Sequence, residues 1–294
     1  MSVGVCGLTS LPSATSLAVH RSRKLIPEFR LHRPRSAMEA VALKSAAGTG
    51  AVFMAGGIDV VNQMKFGVPV TEVIHLGSIV GLDRVEEREG GLRLGALVTH
   101  DRLATSPQVG ARLPSLAQTW PDVANIRIRC KGTIGGNIMA GDPSYDFALA
   151  AVAADAQLHF LSLDGGPVMF AAVDGVANQV GLLTAIVFPF GSTLRFLFDR
   201  SLRPIVTLAL GLDFVDGRIT GGRVAIGCAY PVLVAAQLRF DEPLPPVELA
   251  RRAAPLAQSI AAELSEPLGD HHGSSGYRRR MIELLLRRNL GAVA

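Results

Sequence analysis

Lys131-Gly132-Thr133-Ile134-Gly135-Gly136-Asn137-Ile138-Met139-Ala140-Gly141-Asp142-Pro143-Ser144-Tyr145-Asp146 is the stretch on which the reading of this chain turns. Adjacent glycines stand between a hydroxyl and an amide. An acidic, proline-containing loop follows, and then the apolar run from Phe147 to Ala156. Paired glycines let a backbone turn with positive φ and come close to a ligand. Successive N–H groups in such a turn form a concave anion site, and Thr133 and Asn137 carry groups able to bond at its rim. Taken alone, such a pair is a weak phosphate signal and is more often only a turn.

A second glycine pair strengthens the case. Ala55-Gly56-Gly57-Ile58-Asp59 follows the apolar run Ala51 to Met54 and precedes Val60 to Gly67. That order predicts a strand, a tight glycine turn and a helix, with Asp59 as N-cap and Gly67 as the helix stop. Open N–H groups and the helix dipole make such a turn a physically sensible seat for a phosphate. Two such loops are able to clasp one diphosphate from opposite sides. Neither fits the Walker pattern, since no Gly-Lys-Ser/Thr follows, and neither fits the G-x-G-x-x-G dinucleotide fingerprint.

On these residues the chain resembles the FAD-binding (medium) subunit of molybdenum hydroxylases, the xanthine dehydrogenase and carbon monoxide dehydrogenase type. AGGID at 55–59 and IRCKGTIGGNIMAGDPSYD at 128–146 carry the resemblance. LHRPRS at 31–36, LGALVTHDRLATSP at 94–107, LLTAIVFP at 182–189, DGRITGGRVAIGCAYP at 216–231 and GSSGYRRRMIELLLRRNL at 273–290 extend it over roughly residues 26 to 291. The resemblance implies that the two loops hold the FAD diphosphate: Ala55, Gly56, Gly57, Ile58 and Asp59 in the first, and Thr133, Ile134, Gly135, Gly136 and Asn137 in the second. It places Asp146 where a carboxylate contacts the flavin, although Asp146 reads equally as an N-cap of the following helix. Asp59 reads equally as a structural cap, because a carboxylate facing a diphosphate is repelled. Leu183 or Ile186 is expected against the flavin ring.

The resemblance further implies a heterotrimer. A large partner subunit would bind molybdopterin, and a small partner subunit would carry iron–sulfur (2Fe–2S) clusters. Electrons would pass from those clusters through FAD to an external acceptor. This chain departs from the pattern at Ile58, where Thr is usual, and at Cys130, where Asn is usual. In Arg195 to Arg203, Phe196, Phe198 and Asp199 occupy a stretch where relatives place a ring-side Lys or Tyr. These departures motivate a competing reading, a non-enzymatic nucleotide-binding or assembly protein that has lost its flavin; a stand-alone flavin reductase is a third, weaker reading.

Composition sets outer bounds. The chain has 294 residues, 49% hydrophobic and 18% charged, enough for a substantial core and incompatible with global disorder. Its formal charge of +4 does not call for nucleic acid without clustering on one face. Basic residues gather at Arg21 to Arg35 and at Arg278 to Arg288, read as a solvated tail and a solvated helix face. The cysteines, Cys6, Cys130 and Cys228, are far apart and form no C-x-x-C, so any iron–sulfur centre belongs to a partner. That usage suits a reducing cytoplasm. No run of about 18 apolar residues reads as a membrane span. Adjacent His271 and His272 read as a solvated loop before a metal site, and no hydrolytic triad is apparent.

The expected architecture is α+β. Residues 1–25 form a flexible N-terminal extension or lie upstream of the true start. Residues 26–190 form a two-lobed FAD-binding domain (PCMH-like), and residues 191–294 a smaller domain of antiparallel strands and helices, with Phe188 to Gly191 as linker. Ser36 and Glu39 form a capping box. Helices are expected over Leu113 to Trp120, Phe147 to Ala156, Pro231 to Arg239, Pro246 to Leu264 and Ser275 to Leu290. Strands are expected over Leu92 to Val98, Gln157 to Leu163, Leu182 to Phe188, Thr193 to Phe198, Ile205 to Val215 and Ile219 to Ala229. Trp120 is expected in the core.

Overall fold

A computed structural model describes residues 26–176, 180–190, 195–201 and 204–293. The expected extension over residues 1–25, the linker residue Gly191 and the start of the strand at Thr193 lie outside the described residues. The first lobe runs β1 (Arg30–His32), α1 (Ala37–Ala47), β2 (Ala51–Met54), α2 (Ile58–Lys65) and β3 (Glu72–His75). A helix in each connection returns the chain to the same end, so the three strands pair in parallel, in the order β1-β3-β2. Strand β2 is apolar on both faces because both are covered. Ala51 and Phe53 pack with Ala40 and Val41 of α1, and Val52 and Met54 with Val60 and Met64 of α2.

Local chemistry sets the ends of these helices. Ser36 Oγ accepts from Glu39 N–H at 3.1 Å, and Glu39 Oε2 accepts from Arg35 N–H at 2.8 Å, one residue before the cap. At the end of α2, Gly67 has φ +88°. Gly67 N–H bonds to Met64 O and Val68 N–H to Gln63 O, the paired closure that a left-handed glycine permits.

The second lobe begins with the hairpin β4 (Val85–Arg88) and β5 (Gly91–Gly95). A helical excursion follows: α3 (His100–Thr105), α4 (Pro107–Arg112), α5 (Pro114–Thr119), α6 (Ile126–Arg129), α7 (Ile134–Met139) and α8 (Asp146–Ala153). The chain then returns through β6 (Gln157–Ser162), β7 (Pro167–Ala171), α9 (Ala172–Gly175) and β8 (Gly181–Pro189). These strands form a five-stranded antiparallel sheet ordered β4-β5-β8-β6-β7. Helix α8 is apolar all round, and its residues from Phe147 to Ala153 are all buried. The core around it takes Leu158 and Phe188 from the five-stranded sheet and Phe196, Ala209 and Ala225 from the sheet that follows.

Trp120 is fully buried, as expected, and its indole N–H donates to His100 Nδ1 at 3.2 Å. Phe147 meets the Trp120 ring edge-on at 5.3 Å. Burial pushes the His100 pKa down to about 4, so the ring is neutral near pH 7, and accepting from the indole leaves its proton on Nε2. Trp120→Phe removes the indole donor at that buried acceptor and leaves a void. A loss of about 2–3 kcal/mol is expected in urea unfolding; a loss under about 0.5 kcal/mol would show that His100 finds another donor at no cost.

The last part is β9 (Arg195–Arg200), β10 (Thr207–Val215), β11 (Arg218–Gly227), β12 (Val234–Leu244), α10 (Pro246–Arg251), α11 (Ala253–Glu263) and α12 (Ser275–Gly291). The strands form an antiparallel sheet ordered β12-β11-β10-β9. Leu208, Leu210 and Leu212 of β10 pack with Ala257, Leu285 and Leu286 of α11 and α12, while Ala209 turns toward α8. The fold is α+β, as expected.

Three expectations need correction. Pro231 to Arg239 is not helical: after a bend the chain enters β12, where Ala236 pairs with Val224. Ala and Leu content favours helix there, but the open edge of β11 takes a strand, and tertiary pairing overrides local propensity. The helix expected over Pro246 to Leu264 is broken at Arg252, because Pro255 is incompatible with a continuous turn three to four residues earlier. The basic face of α12 is not wholly solvated, since Arg278 is only 3% exposed. Among the described residues no helix is long and apolar enough to cross a membrane.

Candidate functional site

The first glycine loop joins β2 to α2. Gly57 has φ +75° and forms the N-cap of α2, with no side chain bonded to the helix start. Asp59 is therefore not the cap. It lies inside the first turn, and its carboxylate accepts from Gln63 Nε2 at 2.5 Å and from the Tyr145 hydroxyl at 3.4 Å. Burial is the main cause that raises its pKa, and the charge of Asp142 adds to it. The first bond back from the helix body is Val61 N–H to Gly57 O at 3.1 Å. The amides of Ile58, Asp59 and Val60 precede it and have no acceptor within the helix.

The second loop behaves differently. Thr133 caps α7, its hydroxyl accepting from Gly136 N–H at 3.1 Å. Ile134 N–H bonds to Val98 O, Gly135 N–H to Ala96 O and Asn137 N–H to Thr133 O, each at 2.9 Å. All four amides from Ile134 to Asn137 are thus bonded within the chain. Gly135 and Gly136 are helical and do not have positive φ, contrary to the turn expected from sequence. Their requirement is contact: a Cβ on Gly135 would stand 2.6 Å from Ala96 O and Cβ. The Ile134 side chain is fully buried. Asn137 Oδ1 accepts from Phe147 N–H at 2.9 Å and so ties α7 to the first turn of α8.

The loops meet. A Cβ built on Gly56 would lie 1.8 Å from Lys131 O and 3.3 Å from Gly132 N, and one on Gly136 would lie 4.0 Å from Ala55 Cβ. Tyr145 reaches from the acidic loop to Asp59 in α2. Ala55, Gly56, Gly57, Thr133 and Gly136 therefore share one place. The open amides belong to the first loop, and the second supplies glycine surface against it.

Asp146 is the first residue of α8, one past the N-cap Tyr145. Burial pushes its carboxyl pKa up to about 6, and the positive charge of Arg200 opposes that rise. Tyr145 is pushed up to about 12, chiefly by burial and then by the charges of Asp59 and Asp142. Asp142 Oδ1 accepts from Ser144 N–H at 2.8 Å and from its hydroxyl at 2.6 Å, which rounds the acidic loop.

Arg200 was not singled out from sequence. It lies on β9 in the stretch where a ring-side Lys or Tyr was sought, and its Nη2 donates to Asp122 O at 2.9 Å. A cation was the signal to look for there; its charge acts on Asp146 only once β9 folds back on α8. Phe196 is buried in the core with Phe198 stacked on it, and Asp199 is paired with Arg288. Leu183 and Ile186, expected against a flavin ring, are closed into the core at 2% and 0% exposure. Cys130 is exposed at the end of α6.

Among the described residues no group of His, Cys, Asp or Glu is arranged to hold a metal ion. His271 and His272 occupy an exposed loop. An open groove of about 300 Å³ lies at Val80 to Leu82, Arg84, Glu86, Arg88 and Arg93, and no glycine-loop residue lines it. The chemistry sits at the loops. Three adjacent open amides at a helix start that no side chain caps, set against a second glycine loop, fit a diphosphate.

Comparison with known proteins agrees with that chemistry. A family model described as the FAD binding domain in molybdopterin dehydrogenase matches residues 27–174. The chain is 29% identical over 280 residues to the nicotine 6-hydroxylase medium subunit of Paenarthrobacter nicotinovorans, covering 90% of this chain and 97% of that one. It is 28% identical to the carbon monoxide dehydrogenase medium chain of Afipia carboxidovorans, over 90% of this chain and 96% of the relative. Among solved structures, quinoline 2-oxidoreductase from Pseudomonas putida 86 superposes with a TM-score of 0.80 at 25% identity, covering 92% of this chain and 98% of that one.

Proposed function

We propose, from the premise that this chain belongs to the FAD-binding domain family of molybdopterin dehydrogenases, that it is the flavin-carrying subunit of a three-component molybdenum hydroxylase. The observation that carries the reading is the uncapped start of α2 set against the second glycine loop. The Ile58, Asp59 and Val60 amides would hold the FAD diphosphate, each interaction of this kind contributing roughly 0.3–1 kcal/mol when exposed. Gly56, Gly57, Thr133 and Gly136 would let the diphosphate approach the backbone, while Gly135 would seat α7 against Ala96. Asp146, partnered electrostatically with Arg200, would face the flavin end.

When bound, FAD supplies the redox chemistry, taking electrons from iron–sulfur clusters of a small partner subunit and releasing them to an external acceptor. This chain contributes binding and position. Burial, with the charges of Asp59 and Asp142 beside it, keeps Tyr145 protonated, and the glycines let the two loops meet at the diphosphate seat. Hydroxylation of the substrate belongs to a large molybdopterin-binding partner. Residues 26–190 form the FAD-binding unit and residues 191–294 a C-terminal unit, with residues 1–25 as an extension. The assembly is placed in the cytoplasm.

The test is a visible spectrum of the protein purified with its co-purifying chains, with iron and molybdenum assayed on the same sample. Flavin absorbance near about 450 nm together with both metals is the expected result. Flavin without metals would favour a stand-alone reductase. Absence of flavin after FAD is added would overturn the assignment in favour of a nucleotide-binding or assembly protein.

A further inference from the structure

Helix α12 is far from the glycine loops in sequence, yet a continuous set of bonds joins them. Arg278, the first of three arginines that follow Tyr277, is 3% exposed, and its neighbours Arg279 and Arg280 do not share its burial. Its Nη1 donates to Ile205 O at 3.2 Å and to Cys228 O, and its Nη2 donates to Asp270 Oδ2 at 2.6 Å. Its Nε is buried without a partner, so the side chain is held in this place at a cost. Cys228 has φ +63°, a conformation that non-glycine residues adopt only when their surroundings hold them there. Arg278 holds its carbonyl, and on the other side Cys228 N–H donates to Pro143 O at 2.9 Å. Gly227 is pressed so closely on the same carbonyl that a Cβ there would lie 2.5 Å from it.

Pro143 belongs to the acidic loop. Two residues on, Tyr145 reaches Asp59 in the first turn of α2, and Asp146 opens α8. We infer that Arg278 is a positioning residue for the flavin site: by fixing Cys228 in its left-handed conformation it sets the place of Pro143, and through it the placement of Tyr145 and Asp146. The flavin part of this inference rests on the function proposed above; the mechanical part does not. On this reading the C-terminal unit is a brace for the acidic loop, in addition to packing its own core.

The experiment compares Arg278→Met and Arg278→Lys with Leu286→Ala in the full chain. Leu286 is fully buried in the C-terminal core and makes none of these bonds, so its truncation reports loss of α12 packing alone. Hydrogen exchange is followed by mass spectrometry without added ligand, and FAD affinity by titration. Arg278→Met is expected to speed exchange in the segments holding Tyr145 and Cys228, and to weaken FAD binding about tenfold, the scale of one lost charge-assisted bond. Arg278→Lys, which keeps the charge and one donor group, is expected to recover part of both effects. Leu286→Ala is expected to leave exchange at Tyr145 and FAD affinity unchanged. Wild-type exchange at Tyr145 in Arg278→Met, or an equal effect from Leu286→Ala, would overturn the inference. If the wild-type chain takes up no FAD, the flavin assignment fails, and the exchange data still decide whether Arg278 positions the loop.

Discussion

Gly56→Ala is expected to abolish FAD retention while the rest of the fold survives. The added Cβ would lie 1.8 Å from Lys131 O, 2.7 Å from its carbonyl carbon and 3.3 Å from Gly132 N. Every one of these atoms is backbone, so no side chain can rotate away to make room. The two loops must part by more than 1 Å before the contact reaches an ordinary distance, roughly the scale on which misplacing binding groups costs 100-fold. A fall in FAD affinity of at least about 100-fold, near 3 kcal/mol, follows. Gly110→Ala is the matched control: it lies within α4, has no atom near its Cβ position and no positive φ. It should keep its flavin and gain up to about 1 kcal/mol from helix propensity. Full FAD occupancy in Gly56→Ala would mean that apposition of the loops is not part of the site. Gly135 is the poorer choice for such a test, because a side chain there collides with Ala96 in the core and would report folding instead.

Asp146→Asn should stabilise the protein in a pH-dependent way. The carboxyl pKa stands at about 6 in the folded chain against 3.8 for an unperturbed aspartate, mainly through burial. The sign follows from proton binding. Below about pH 3.8 the group is protonated in both states and burial carries no charge penalty. Between about 4 and 6 the unfolded chain releases its proton first, so stability is lost as pH rises, and above about 6 the full penalty is present. The raised value corresponds to an upper limit of about 3 kcal/mol. After allowance for partial exposure, Asp146→Asn is expected to gain about 2 kcal/mol near pH 7.5 and almost nothing near pH 4. Parallel stability curves for the two proteins would show that the carboxylate is solvated. Retaining such a group at the start of a buried helix is understandable if it serves a ligand.

Much of this was legible beforehand because it depends on local chemistry. Ser36 with Glu39, Gly67 after α2, the α8 run and Trp120 in the core follow from side-chain type and spacing. The order of the glycine loops was also legible, and it pointed to a diphosphate. What sequence could not show was how the labour is divided between those loops. The second loop gives up its amides to Ala96 and Val98, which arrive from the end of β5. The cap of α2 is the left-handed Gly57, so the tempting carboxylate of Asp59 is left to bind Gln63 and Tyr145. Arg278 read as a member of a solvated basic run and Arg200 was not singled out; each acquires its role from an element that folds back on it. Residues 231–239 misled for the same reason, because a strand was needed at an edge that only the assembled sheet possesses.

Helix α8 has a consequence for how the molecule comes apart. Its residues enter one core shared by the five-stranded sheet and by Phe196, Ala209 and Ala225 of the C-terminal sheet. The two units that sequence separates at residue 190 therefore share one buried core, and they are expected to unfold together. A fragment ending at that linker would leave an all-apolar helix facing water along one side. During synthesis the N-terminal part must wait for β9 to β11 before its central helix is covered. Folding and flavin capture are thus tied to completion of the chain, and a truncated product would be sticky and colourless, not partly active.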